Sequence, residues 1–118
     1  MSDFVDKPWG CEIIWAKTAQ YVGKMMYIKA GCRLSEQYHN VKTETMLVSK
    51  GLVRIIAKFA DGEEVDRRFL PGDSIHIPPG TVHRLEAVVD SCVIEVSTPE
   101  LDDVVRLSDD YGRSDEGQ

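Results

Sequence analysis

Between Cys11 and about Thr98, apolar residues fall in short runs separated by turn residues, and no stretch sustains the 3.6-residue period of an amphipathic helix. The runs CEIIWA, KMMYIKA, SEQYHN, TMLVSK, LVRIIAKFA, EVDRRFL, SIHIP, TVHRLEA and SCVIEVS read as strands. Between them lie turn signals such as Ala30-Gly31, Lys50-Gly51, Pro71-Gly72-Asp73 and Pro78-Pro79-Gly80. Asp61-Gly62, set between two apolar runs, predicts a hairpin over residues 52–70 with a type I′ turn. Many short strands at such regular spacing predict an all-β sandwich or barrel, in which closure removes exposed edges. The segment LDDVVRL, residues 101–107, fits a last short strand or a single helical turn, and the chain from Ser108 onward reads as disordered.

The octet QYHNVKTE, residues 37–44, is where chemistry first enters. On a strand, Gln37 and His39 point to the same face, and Glu44 would open the next strand level with them. His83, in TVHRL, follows a separate turn-rich run and supplies a fourth candidate. Two nitrogens and two oxygens meeting inside a barrel suit a divalent first-row metal with open positions. Taken locally, the octet reads first as a polar surface hairpin.

Length and charge narrow the setting. The 118 residues fit one domain, read here as a barrel with an N-terminal strand over 1–108 and an acidic tail over 109–118. A net charge of −6 disfavours nucleic acid or an anionic membrane as partner, but about half of it belongs to the tail. The body therefore still admits an anionic small molecule. Cys11, Cys32 and Cys92 are odd in number and widely spaced, so plain reduced thiols are expected. Without a signal-peptide pattern or a run long enough to span a bilayer, the expected location is the cytoplasm.

Glycines and prolines frame the candidate ligands at set distances. Five residues separate Gly31 from Gln37, four separate His39 from Glu44, and six separate Glu44 from Gly51. In the second segment, five residues separate Gly72 from Pro78, and two separate Gly80 from His83. These spacings resemble the two motifs of the cupin superfamily, with Gln37 where a histidine is usual and Ala87 where an asparagine is usual. The resemblance implies a double-stranded β-helix, a jelly-roll-like barrel. More specifically, the chain is similar to the type II mannose-6-phosphate isomerase cupin domain found at the C-terminus of bifunctional mannose-1-phosphate guanylyltransferase/mannose-6-phosphate isomerases. KPWG at 7–10, CRLSEQ through His39, IPPGTVHRLE at 77–86, VIEV at 93–96 and DDVVRLSDDYGR at 102–113 carry that similarity.

The resemblance implies one divalent metal, zinc first, with manganese, iron, cobalt or nickel as alternatives, held by Gln37, His39, Glu44 and His83. An amide oxygen donates less than imidazole, so Gln37 would leave the ion a stronger Lewis acid. It also implies a sugar or sugar-phosphate ligand, aldose–ketose isomerisation and a homodimer. A general base is not evident from the residues: His76 is a candidate, and Lys24, Lys29, Arg33 and Arg84 are candidates for a phosphate. Asn40, Val41 and Thr45 stand where the resembling isomerases carry further histidines. A non-catalytic or regulatory carbohydrate-binding cupin is therefore the second reading, and a metal-dependent oxygenase the third.

Overall fold

The computed structural model describes residues 2–113, and among them there are eleven strands and no helix. In chain order these are β1 (Asp3–Lys7), β2 (Gly10–Lys17), β3 (Val22–Ile28), β4 (Glu36–Tyr38), β5 (Glu44–Lys50), β6 (Val53–Lys58), β7 (Glu64–Phe69), β8 (Ser74–Ile77), β9 (Val82–Ala87), β10 (Ser91–Ser97) and β11 (Val105–Ser108). One sheet runs β1-β2-β3-β10-β5-β8 and the other β11-β4-β9-β6-β7, every neighbouring pair antiparallel. The all-β class and the single small domain are as expected.

Alternation along the strands builds the core. Met26, Val48, Val53, Ile55, Phe69, Ile77, Leu85 and Val93 are buried between the sheets. At about 25 cal/mol per Å² of apolar surface removed from water, such residues supply the main drive for closing the two sheets. The six-stranded sheet departs from that rule at one end. The cross-strand row Ile14, Lys24, Glu95, Met46, Ile75 faces inward and carries charge. The neighbouring row Phe4, Ile13, Met25, Ile94, Leu47 faces outward and is apolar across five strands, ending at Ser74 on β8. An apolar exterior over a charged interior is the reverse of ordinary sheet patterning, and it marks the interior as a site.

Two expectations change in detail. The β6–β7 hairpin forms, but within its loop only Gly62 has positive φ (94°), and among the described residues no non-glycine residue does. Asp61 therefore cannot complete a type I′ turn. Instead Gly62 N–H donates to Phe59 O and Phe59 N–H to Glu63 O, giving a three-residue loop in which Gly62 forms the bulge. SEQYHN yields only the three residues of β4, because the chain turns at once. There the Asp103 carboxylate accepts the backbone N–H groups of Asn40, Val41 and Lys42 at 3.1, 2.6 and 2.8 Å. The expected N-terminal strand is DFVDK, which pairs along its whole length with β2.

The expected disordered tail is partly a built segment. LDDVVRL ends in a strand, β11, and Asp109 is bonded to the Arg113 guanidinium at 2.9 and 3.0 Å. Asp110 grips Arg33 with both carboxylate oxygens at 2.7 and 2.8 Å. The Asp110 pairs thus fasten this segment to the barrel while Asp109–Arg113 closes it on itself, and residues 114–118 lie outside the described residues. All three cysteines are free thiols. Among the described residues no helix is long and apolar enough to cross a membrane.

Candidate metal centre

Both sheets contribute to one buried cluster. Glu44 opens β5 in the six-stranded sheet, His83 lies on β9 in the other, and His39 follows β4. One donor atom from each can be chosen so that all lie within 4.8 Å of one another, and all three residues are buried. His39 Nε2 stands 3.0 Å and His83 Nε2 3.1 Å from the same oxygen, Glu44 Oε1.

Hydrogen bonds at the far side of each ring settle what those nitrogens can do. His39 Nδ1–H donates to the Asp103 carbonyl and His83 Nδ1–H to the Thr81 carbonyl, 2.9 Å away. A carbonyl only accepts, so the Nδ1 proton is fixed, and a neutral imidazole then presents Nε2 as a bare lone pair. Two lone pairs and a carboxylate oxygen converge without a hydrogen among them. Such a set repels itself unless a cation or added protons sit between its members, and fixing Nδ1 on a carbonyl is how metal-binding histidines are oriented. The residues present fit a divalent ion.

Gln37 stands directly opposite His83 across the β4–β9 pair and lines the same cavity. Its amide oxygen accepts the Ser35 hydroxyl at 2.9 Å. The four sequence-predicted ligands are therefore together, three in a tight set and Gln37 at its edge.

The set opens into a cavity of about 260 Å³ whose polar lining the sequence did not reveal. Lys7 pairs with Glu12 at 3.1 Å, Lys24 bridges Glu12 and Glu95 at 3.2 and 3.5 Å, and Lys42 bridges Glu95 and Glu44 at 3.6 and 3.5 Å. Acids and bases thus alternate from the edge strand to the cluster. Burial opposes ionisation of Glu44, yet protons on the two Nε2 atoms when no cation is bound, together with Glu95 and the Lys42 ammonium, hold its carboxyl well below the usual range. Burial, and then the charge of Glu44, push the Glu95 carboxyl up to about 7. Lys24 stays protonated: burial works against it, but Glu95 and Glu12 raise it above an ordinary lysine.

The remaining candidates lie elsewhere. His76 is exposed, on the outer side of β8, with Nδ1 3.0 Å from the Thr45 hydroxyl. Arg33 is committed to Asp110, and Arg84 donates to the Leu34 carbonyl and to Asp110 at 2.9 and 3.2 Å. None of His76, Arg33 and Arg84 lines the cavity, because alternation turns each away from it. Lys29 is exposed as well; Lys24 alone of the phosphate candidates faces inward. Glu12, Lys42 and Glu95 were not singled out from the sequence. A charged residue inside an apolar strand, as in VIEV, was the available signal.

Two facing antiparallel sheets around a buried His–Glu–His set define a cupin barrel with residues that could hold a metal ion. The chain belongs to the Mannose-6-phosphate isomerase C-terminal family, which residues 1–109 match. It is 36% identical over 115 residues to mannose-1-phosphate guanylyltransferase of Escherichia coli, covering 92% of this chain and 23% of that protein. It is 31% identical over 119 residues to the alginate biosynthesis protein AlgA of Pseudomonas aeruginosa, covering 95% and 23%. The chain spans about a quarter of the length of the curated relatives it matches. Among solved structures, KdgF from Halomonas superposes with a TM-score of 0.73 at 26% identity, covering 82% of this chain and 86% of that one. Oxalate decarboxylase from Bacillus subtilis gives 0.77 at 14% identity, covering 90% and 30%, a likeness of fold alone.

Proposed function

We propose that this chain is a metal-dependent sugar-phosphate isomerase domain acting on mannose 6-phosphate or a close relative, with His39, Glu44, His83 and Gln37 as ligands of one divalent ion, zinc first. The observation that supports it is the union of a cation-demanding donor set with a cavity of buried acids and ammonium groups beside it. Bound there, the ion would polarise the carbonyl and hydroxyl oxygens of an aldose or ketose. Moving a proton between adjacent carbons also needs groups that hold protons and groups that offset charge on oxygen. The cavity offers Glu12 and Glu95 for the first task and Lys24 and Lys42 for the second. Lys7 and Lys24 hold Glu12 at 3.1 and 3.2 Å, whereas Lys24 and Lys42 stand 3.5 and 3.6 Å from Glu95 Oε2, which has no hydrogen-bond partner, so Glu95 is the carboxylate with capacity to spare.

Loss of family histidines does not favour the regulatory reading. Thr45 pairs with His76 on the outer face, and Asn40 and Val41 are exposed with their N–H groups bound to Asp103. None of the three lines the cavity, so histidines there would not have supplied its chemistry. The test is conversion of mannose 6-phosphate to the ketose by protein reconstituted in turn with zinc, manganese, iron, cobalt and nickel. Turnover that disappears in His39→Ala is expected. Binding without turnover under every metal would overturn the isomerase in favour of a carbohydrate-binding cupin.

The outer apolar row supports a second copy as partner. Five strands at about 4.8 Å and seven residues at about 3.3 Å give a face on the order of 500 Å². Two such faces approach the roughly 1,000 Å² a specific interface needs. A face bearing only uncharged side chains along its central row is complementary to itself, as a two-fold pair requires.

A further inference from the structure

One buried atom in the cavity has nothing to bond. Glu95 Oε2 is fully enclosed and lacks a hydrogen-bond partner, although its residue lines the cavity and is only 5% exposed. The two ammonium groups nearest to it, Lys24 Nζ at 3.5 Å and Lys42 Nζ at 3.6 Å, are at ion-pair rather than hydrogen-bond distance. A buried carboxylate oxygen left this way is costly, and so it is a place for something that the free protein does not supply.

We infer that Glu95, flanked by Lys24 and Lys42, forms a hydroxyl-reading subsite, in which the free carboxylate oxygen accepts a hydrogen bond from a hydroxyl of a polyhydroxylated ligand. The inference rests on the sugar-phosphate reading and deepens it. The chemistry is specific because Glu95 Oε2, when it carries no proton, accepts and an ammonium only donates, whereas a hydroxyl does both. A hydroxyl between Glu95 and one of the lysines satisfies both partners at once. A phosphate oxygen or a carboxylate would satisfy the lysines and repel Glu95. The pairing agrees: Lys7, Lys24 and Lys42 each already face an acid among Glu12, Glu95 and Glu44, so along this run of ion pairs no lysine is left over for an anion. The position agrees too, since Lys42 touches both Glu95 and Glu44 and places the subsite beside the metal-binding set.

A site built to bond a hydroxyl rejects the analogue that lacks it, because the buried partner is left unpaired. The test is calorimetric binding of mannose 6-phosphate and its 2-, 3- and 4-deoxy analogues to zinc-loaded wild-type, Glu95→Ala and Lys24→Met proteins, with bound zinc and unfolding temperature measured for each. Wild type should bind one of the three analogues about 10- to 100-fold more weakly than the parent. Glu95→Ala should keep its zinc, bind the parent more weakly by a similar factor, and treat that analogue and the parent alike; Lys24→Met should narrow the gap. Wild type binding all three analogues as well as the parent would overturn the subsite with no variant needed, as would a Glu95→Ala protein that keeps the discrimination. In both cases the sugar-phosphate reading survives. Zinc-loaded wild type that binds none of these sugars would overturn that reading and the subsite with it.

Discussion

His39 Nε2 and Glu44 Oε1 face each other at 3.0 Å inside the barrel, while the other nitrogen of the same ring gives its proton to the Asp103 carbonyl. A cation between them turns repulsion into coordination, so metal binding should stabilise the fold strongly. At a free metal concentration one hundred times Kd the gain is about 2.7 kcal/mol, read as a rise in unfolding temperature on adding zinc or manganese. In His39→Ala and Glu44→Gln the rise should vanish and metal content by elemental analysis should fall. A full shift in both variants would place the ion elsewhere.

Asp103 holds the loop between His39 and Glu44 through three backbone N–H groups, which also pull its own carboxyl down to about 2. Asp103→Ala should loosen that loop, lowering metal affinity more than it lowers the unfolding temperature. Titration of metal into the variant, compared with wild type, measures the difference; equal affinity would show that the loop holds itself.

The acid dependence of the C-terminal segment follows from Asp110 and Asp109. Hydrogen bonds from Arg33 hold Asp110, and those from Arg113 hold Asp109, below the ordinary carboxylate value of 3.8. A depressed folded pKa means the ionised form is the stabilising one. The contribution is thus complete above pH 3.8 and is lost as pH falls below it. Hydrogen exchange of residues 105–113 should accelerate across that window before the barrel opens, and Asp110→Asn should show fast exchange already at neutral pH. Salt should weaken the tie as well, because the Arg33–Asp110 pair is partly exposed.

Gly10 ends KPWG against the neighbouring strand, and a Cβ there would sit 1.9 Å from the Tyr27 carbonyl oxygen. That contact is with backbone, so β2 and β3 would have to separate where Gly10 pairs with Ile28, shifting Trp9 in the cavity wall. Gly10→Ala should cost about 3–5 kcal/mol, the upper range for single substitutions, measured by denaturant unfolding.

On the outer face, Ile94 lies at the middle of the apolar row, between Met25 and Leu47. Ile94→Lys buries a charge in any pairing through that face, and should convert a two-copy species into single chains without lowering the unfolding temperature of the barrel. Light scattering after size exclusion gives the answer; wild type running as a single chain at micromolar concentration would refute the pairing.

Much of the barrel was legible because strand alternation and turn chemistry are local. Nine strands were evident from apolar runs and their bounding glycines and prolines, and residues 52–70 form the expected hairpin. Local reading failed where tertiary partners decide. Asp61 reads as half of a type I′ turn, yet Gly62 alone takes positive φ. Arg33 and Arg84 read as phosphate ligands until Asp110, 77 and 26 residues away along the chain, is seen to occupy them.

By itself, then, the amino-acid sequence determined the barrel and the spacing that brings Gln37, His39, Glu44 and His83 to one end of it. Register follows from alternation, and glycine placement follows from backbone sterics. Only the tertiary structure decided the interior chemistry. Whether Glu12, Lys24 and Glu95 face solvent or one another depends on which side of the six-stranded sheet is covered, and covering is a property of two sheets together. That is why VIEV and KMMYIKA read as ordinary strands, while in the folded chain their Glu95 and Lys24 stand 3.5 Å apart beside the candidate metal ligands.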